Sequence, residues 1–179
     1  HRQDVSNLEL AVIAKYREEV EKFFADTFGI LDLHVEALEQ ATGKEPHGLW
    51  QKSVAEGMLA ANPHFEEVRF VGLDGKEIVR VSRKKDYENL LYVTETASFK
   101  EARVGNTYIG NVYQTLRGPM VTVASPVYFD EDIIQILIAE VRLSSLLQSL
   151  DNGHVGKDGY LALFDKEGVF VSGSARGSI

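Results

Sequence analysis

Glu140 places a carboxylate inside an otherwise apolar run, Ile136-Leu137-Ile138-Ala139-Glu140-Val141. In a strand, alternation sends Leu137, Ala139 and Val141 to one face and Ile136, Ile138, Glu140 and Arg142 to the other. A carboxylate on such a strand is either held in a polar pocket or turned to the surface beside Arg142, because burying it without partners is costly. Arg80 poses the same question in Ile78-Val79-Arg80-Val81-Ser82. Val79 and Val81 would face the core, leaving Arg80 on the opposite side as an anion-binding group or a solvated strand arginine. Tyr108 and Tyr113 are candidate pocket-lining aromatics, with simple strand packing as the alternative. Arg117, in the turn Thr115-Leu116-Arg117-Gly118-Pro119, reads as exposed.

Other reactive groups argue against catalysis. The five histidines show no metal-ligand spacing and no HExxH motif, and there are no cysteines for thiol chemistry or thiolate ligation. Asp130-Glu131-Asp132 lacks the ligand series of a calcium loop and reads as a solvated hairpin turn. Gly156-Lys157-Asp158-Gly159 runs into a strand and not into a helix N-terminus, so it lacks the means to cradle phosphate. No nucleophile, base and orienting group form a set. The sequence therefore predicts a domain without catalytic residues, metal or cofactor. The formal charge of -8, from Lys+Arg 19 against Asp+Glu 27, opposes nucleic-acid binding.

The elements that must position these residues follow an α+β order. Leu8, Val12, Tyr16, Val20, Phe23, Thr27, Leu31, Val35 and Leu38 recur at helical spacing, predicting one long helix over 7–41. At about 50 Å it would outreach a small module, so one end should project as a membrane stalk, a dimer contact, or both; the alternative is a helix packed wholly on its own domain. A second helix is expected over 49–61, ended by Asn62-Pro63. Strands follow at 65–71 and 77–83, joined by the turn Asp74-Gly75, then at 107–113, 120–128 and 133–143. Residues 84–98 read as a polar, irregular loop, 144–150 as a short helix.

The first hairpin has an echo. VRFVGLDGKEIVRVS at 68–82 and YLALFDKEGVFVSG at 160–173 share a strand–turn–strand pattern about 90 residues apart. Residues 1–150 thus make one whole domain, and 151–179 the opening hairpin of a second, similar one. A chain that starts inside a helix, without Met, is expected to be a piece of a larger protein.

The order of long helix, hairpin, loop, Phe99-Lys100-Glu101-Ala102, YIGNVY at 108–113, TVASPVYFDED at 122–132 and ILIAEVRL at 136–143 resembles the double Cache, or PDC, sensor domain. Ala124-Ser125-Pro126-Val127-Tyr128 and Gly156-Lys157-Asp158-Gly159-Tyr160 are its most typical strings. The resemblance implies a PAS-like antiparallel sheet under a long N-terminal helix. It also implies an extracytoplasmic location in a membrane-tethered receptor, of which a histidine kinase is the first choice and a chemoreceptor the second. A small organic ligand would lie between sheet and covering loop, and the long helix would mediate a homodimer.

In the amino-acid-binding members, an Arg and a Trp hold the ligand carboxylate, while a Tyr and an Asp hold its ammonium. Carried over by position, the Arg and Trp fall on Thr96 and Ser98, the Tyr on Tyr113 and the Asp on Glu140. The carboxylate arm is missing and the ammonium arm partly kept, which argues against a standard α-amino acid. The resemblance thus leaves two expectations. One is a sensor using Arg80, Thr96, Ser98, Tyr108, Tyr113 and Glu140; the other is a ligand-free structural or dimerisation module.

Overall fold

The computed structural model describes residues 2–42, 48–84, 89–151, 162–164 and 170–173. Helix α1 spans Arg2–Thr42, about 60 Å of helix, and α2 spans Gly48–Ala61. The stripe expected from spacing is the one that packs: Tyr16, Val20, Phe23, Leu31 and Val35 join the core, and Thr27 is buried among them. His34 is an ordinary helix residue, its Nδ1–H donating to the Ile30 carbonyl at 2.8 Å.

Five strands follow: β1 Phe65–Gly72, β2 Glu77–Ser82, β3 Tyr108–Thr115, β4 Gly118–Phe129 and β5 Asp132–Arg142. They form one antiparallel sheet in the order β2-β1-β5-β4-β3. The first and last of these five strands therefore pair at the middle of the sheet, which makes neighbours of residues as distant in sequence as Arg69 and Ile138. Val68, Phe70, Val121, Val123, Leu137, Ala139 and Val141 pack with α1 and α2. Val71, Ala124, Ile136 and Ile138 belong to a second cluster with Val93, Phe99 and Ala102. The alternation expected for β5 is thus realised.

Two details differ from the sequence expectation. The stretch read as irregular ends in a helix, α3, at Ala97–Arg103. Thr96 caps it, accepting from the Phe99 N–H, and Phe99 and Ala102 press it onto the sheet. The connection before β4 is also tighter than expected: Gly118 and Pro119 already belong to the strand, Gly118 with a φ of 99°. Before α3 the chain lies along the first hairpin, with Val93 N–H donating to Gly75 O at 2.8 Å. Gly75 is required there: its φ is +83° and a Cβ would come within 2.3 Å of Thr94 Cγ2.

A short helix, α4, covers Ser144–Asp151 and packs on α1. Strands Ala162–Phe164 and Phe170–Gly173 pair antiparallel as a separate two-stranded sheet, as the echoed hairpin predicted. The turn at 165–169 and the string 156–160 lie outside the described residues.

Candidate functional site

The sheet has an apolar side and a divided side. Under α1 and α2 it is apolar apart from Gln135 on β5, whose side-chain oxygen accepts from Gln51 Nε2 of α2 at 3.1 Å. On the opposite side α3 covers an apolar patch, and next to that patch stands a group of charged side chains. Alternation puts them there: Glu67 and Arg69 flank Val68 on β1, Arg80 lies across from Arg69 on β2, and Thr122 faces Glu140 between β4 and β5.

Arg69 is the hub. Its Nη2 lies 2.5 Å from Glu140 Oε1, its Nε 3.3 Å from Glu67 Oε1 and its Nη1 3.6 Å from Glu77 Oε1. Arg80 Nε lies 3.0 Å from the same Glu67 oxygen. The two guanidinium groups would repel across paired strands; the carboxylates between them turn repulsion into a network. Exposure of these side chains is low, 15% for both arginines, 14% for Glu140 and 0% for Glu77. The chain before α3 closes one end, where Leu91 N–H donates to Glu77 Oε2 at 2.9 Å.

Glu140 has three partners. Arg69 takes Oε1, while Tyr113 Oη and Thr122 Oγ1 both donate to Oε2, at 2.6 and 2.7 Å. Burial and then the Glu140 carboxylate hold the Tyr113 phenol well above its usual titration range. Tyr113 is nevertheless 38% exposed, so its ring forms the open rim of the group.

Sequence reasoning placed these residues unevenly. Glu140, Tyr113 and Arg80 share one network. The alternative pairing of Glu140 with Arg142 is not made: Arg142 Nε lies 3.1 Å from Glu66 Oε1, and the guanidinium also donates to the Pro63 carbonyl. Arg117 is exposed in its turn, as expected, and its guanidinium also reaches Glu66 at 3.1 Å. Thr96 and Ser98 stand apart from the network. Thr96 Oγ1 donates to Val93 O and accepts from Ser98 Oγ, and both serve the start of α3. Tyr108 packs with the apolar patch around Phe99. Arg69, Thr122, Glu67 and Glu77 were missed; for Glu67 and Arg69 the available signal was charge alternating with Val68 and Phe70 on β1.

Among the described residues no group of three acidic or histidine side chains could hold a metal ion. Asp130 and Glu131 form the β4–β5 turn with φ of 48° and 72°, in the exposed setting expected. A separate concavity of about 420 Å³ opens between α1 and β4, with Asp32, Glu36, Ser125 and Tyr128 on its walls. Burial, then the neighbouring Glu36, raises the Asp32 carboxyl above its usual range. No described helix is long and apolar enough to cross a membrane.

No protein-family model and no curated protein matches the chain. Solved structures do. The sensory domain of the Campylobacter jejuni chemoreceptor Tlp3 superposes with a TM-score of 0.73 at 14% identity, covering 96% of this chain and 72% of that one. A domain of a sensory box/GGDEF family protein from Vibrio parahaemolyticus gives 0.67 at 16% identity, over 94% and 72%. The extracellular domain of the histidine kinase vpHK1S-Z8 gives 0.52 at 17%, over 86% and 63%. What is shared at such identities is the fold. The chain has the α+β fold of receptor sensory domains, a long helix against a five-stranded antiparallel sheet, as its resemblance to double Cache modules implied.

Proposed function

We propose that this domain senses a small organic molecule as the extracytoplasmic part of a membrane-tethered signalling receptor. The observation that carries the reading is the placement of the Arg69–Glu140 network. Charged side chains sit at low exposure on the sheet face away from α1 and α2, rimmed by Tyr113 and beside the patch that α3 covers. A polar group of that kind on a sheet face suits recognition of a polar guest. The Tlp3 domain, which shares the fold, has been solved with isoleucine bound.

In this reading residues 1–150 form the sensing module, and 151–179 begin a second one. Helix α1 links two copies in a homodimer. Ligand binding favours one arrangement of face, covering segment and helix over another, and the signal is limited to that difference in affinity. The output domain in this reading is a histidine kinase, with a chemotaxis module as the alternative, and the module itself has no catalytic role.

A second reading has its own observation. Both oxygens of Glu140 are already engaged by Arg69, Tyr113 and Thr122, as in a ligand-free structural or dimerisation module. A thermal-shift screen against organic acids, amines, amino acids and sugars separates the two. A ligand at 100 times its Kd adds about 2.7 kcal/mol, a rise of roughly 5–10 °C for a chain of this size. A hit abolished by Tyr113→Ala supports the sensor; silence across the panel supports the ligand-free module.

A further inference from the structure

The inference rests on the sensing face proposed above and concerns what that face refuses. Glu140, Tyr113 and Thr122 come from β5, β3 and β4, and both hydroxyls donate to Glu140 Oε2. A hydroxyl that donates keeps its lone pairs, so the phenol and threonine oxygens remain acceptors. A carboxylate framed by two such oxygens is a seat for a hydrogen-bonding cation.

The occupant is the protein's own. Arg69 reaches the seat from β1 with Nη2 2.5 Å from Glu140 Oε1, and Glu67 and Glu77 lie at ion-pair distance, 3.3 and 3.6 Å, from its other nitrogens. The charges agree with this assignment. Three carboxylates, Glu67, Glu77 and Glu140, face two guanidinium groups, Arg69 and Arg80, leaving one formal negative charge in excess. Removing Arg69 would leave two.

We propose that Arg69 is the specificity-determining residue of this face, a tethered guanidinium that keeps free ammonium and guanidinium compounds off Glu140. Tethering gives the resident group a high effective concentration, and a free cation must outcompete it to enter. Ligands of the native domain consequently bind without a cationic anchor on Glu140. Shortening Arg69 converts the seat into an open cation site.

The test is chemical rescue. The whole 179-residue chain is melted with increasing methylguanidinium chloride, against sodium chloride at equal ionic strength, as wild type, Arg69→Ala, Arg69→Lys and Arg69→Ala/Glu140→Gln. The melting temperature of Arg69→Ala should rise with methylguanidinium and saturate. Wild type, Arg69→Lys and the double variant should not respond beyond the salt control.

If Arg69→Ala is unfolded alone, the same titration is followed as recovery of far-UV circular dichroism, which saturating rescue should restore. No saturable rescue of Arg69→Ala, or an equal response in wild type, overturns the proposal. Failure of the sensor reading is distinct from this. Rescue of Arg69→Ala, with no wild-type hit in the small-molecule screen, keeps the seat and removes the sensor. A wild-type hit without rescue does the reverse.

Discussion

Arg69 on β1 and Glu140 on β5 close a 2.5 Å ion pair across the two central strands of the sheet, although 71 residues separate them in sequence. The pair lies on the face away from α1 and α2, and Glu140 alone ties β1, β3 and β4 to β5 through Arg69, Tyr113 and Thr122.

Such a pair is expensive to break from one side. Glu140→Ala should cost about 2–4 kcal/mol, because it leaves Arg69 poorly solvated with one partner fewer. Arg69→Met/Glu140→Leu should recover much of that loss, since an apolar pair removes both charges together. Urea unfolding of Arg69→Met, Glu140→Leu and the double closes the cycle. A double variant as unstable as the summed singles would show that the residues do not interact.

The phenol of Tyr113 gives a pH signature. Burial and Glu140 raise its folded-state pKa above the unfolded value, about 10. Above that pH the unfolded chain releases this proton while the folded domain keeps it, so the unfolded state binds fewer protons and stability falls as pH rises. Tyr113→Phe should cost about 1 kcal/mol at neutral pH, the worth of one hydrogen bond, and should flatten the decline above pH ~10. Denaturant melts of both proteins across that range check it; parallel slopes would contradict the assignment.

Arg83 was read only as the end of a strand, yet it clamps the C-terminus of α2. Its guanidinium donates to Leu59 O, to Asn62 O at 2.9 Å and to Phe65 O at 2.6 Å. A cation at the negative end of a helix, bonded to carbonyls that lack helical partners, is favourable twice over. Arg83→Ala should lose about 2 kcal/mol in urea unfolding, and Arg83→Lys should keep only part of the clamp because it loses the fork.

Thr96 separates a capping role from a ligand role. If it only caps α3, Thr96→Ala should cost about 1 kcal/mol and leave the affinity for any ligand of the native domain unchanged, whereas Thr96→Ser should be near neutral. A fall in affinity much larger than the change in stability would return Thr96 to the binding site.

Much of this was legible in the residues. Period-3.6 spacing located α1 and the side of it that packs, and period-2 alternation put Glu140 and Arg80 on the face away from the helices. The identity of their partners was not legible. Arg69 meets Glu140 only because β1 pairs with β5, and that register is set by the closing of the whole sheet. Helix α3 escaped because seven residues are too few to display a helical period. Thr96 and Ser98 were nominated by position in a family pattern, but their hydroxyls are used locally.

In the sensing reading the Tyr113–Glu140 face binds a small molecule. Isothermal titration of the strongest screening hit into wild type and Tyr113→Ala tests it most directly, because Tyr113 lies at the open rim of the face. One saturable site is expected in wild type and at least a tenfold weaker one in the variant, about 1.4 kcal/mol. Equal affinity in the two proteins would contradict it and place the ligand elsewhere.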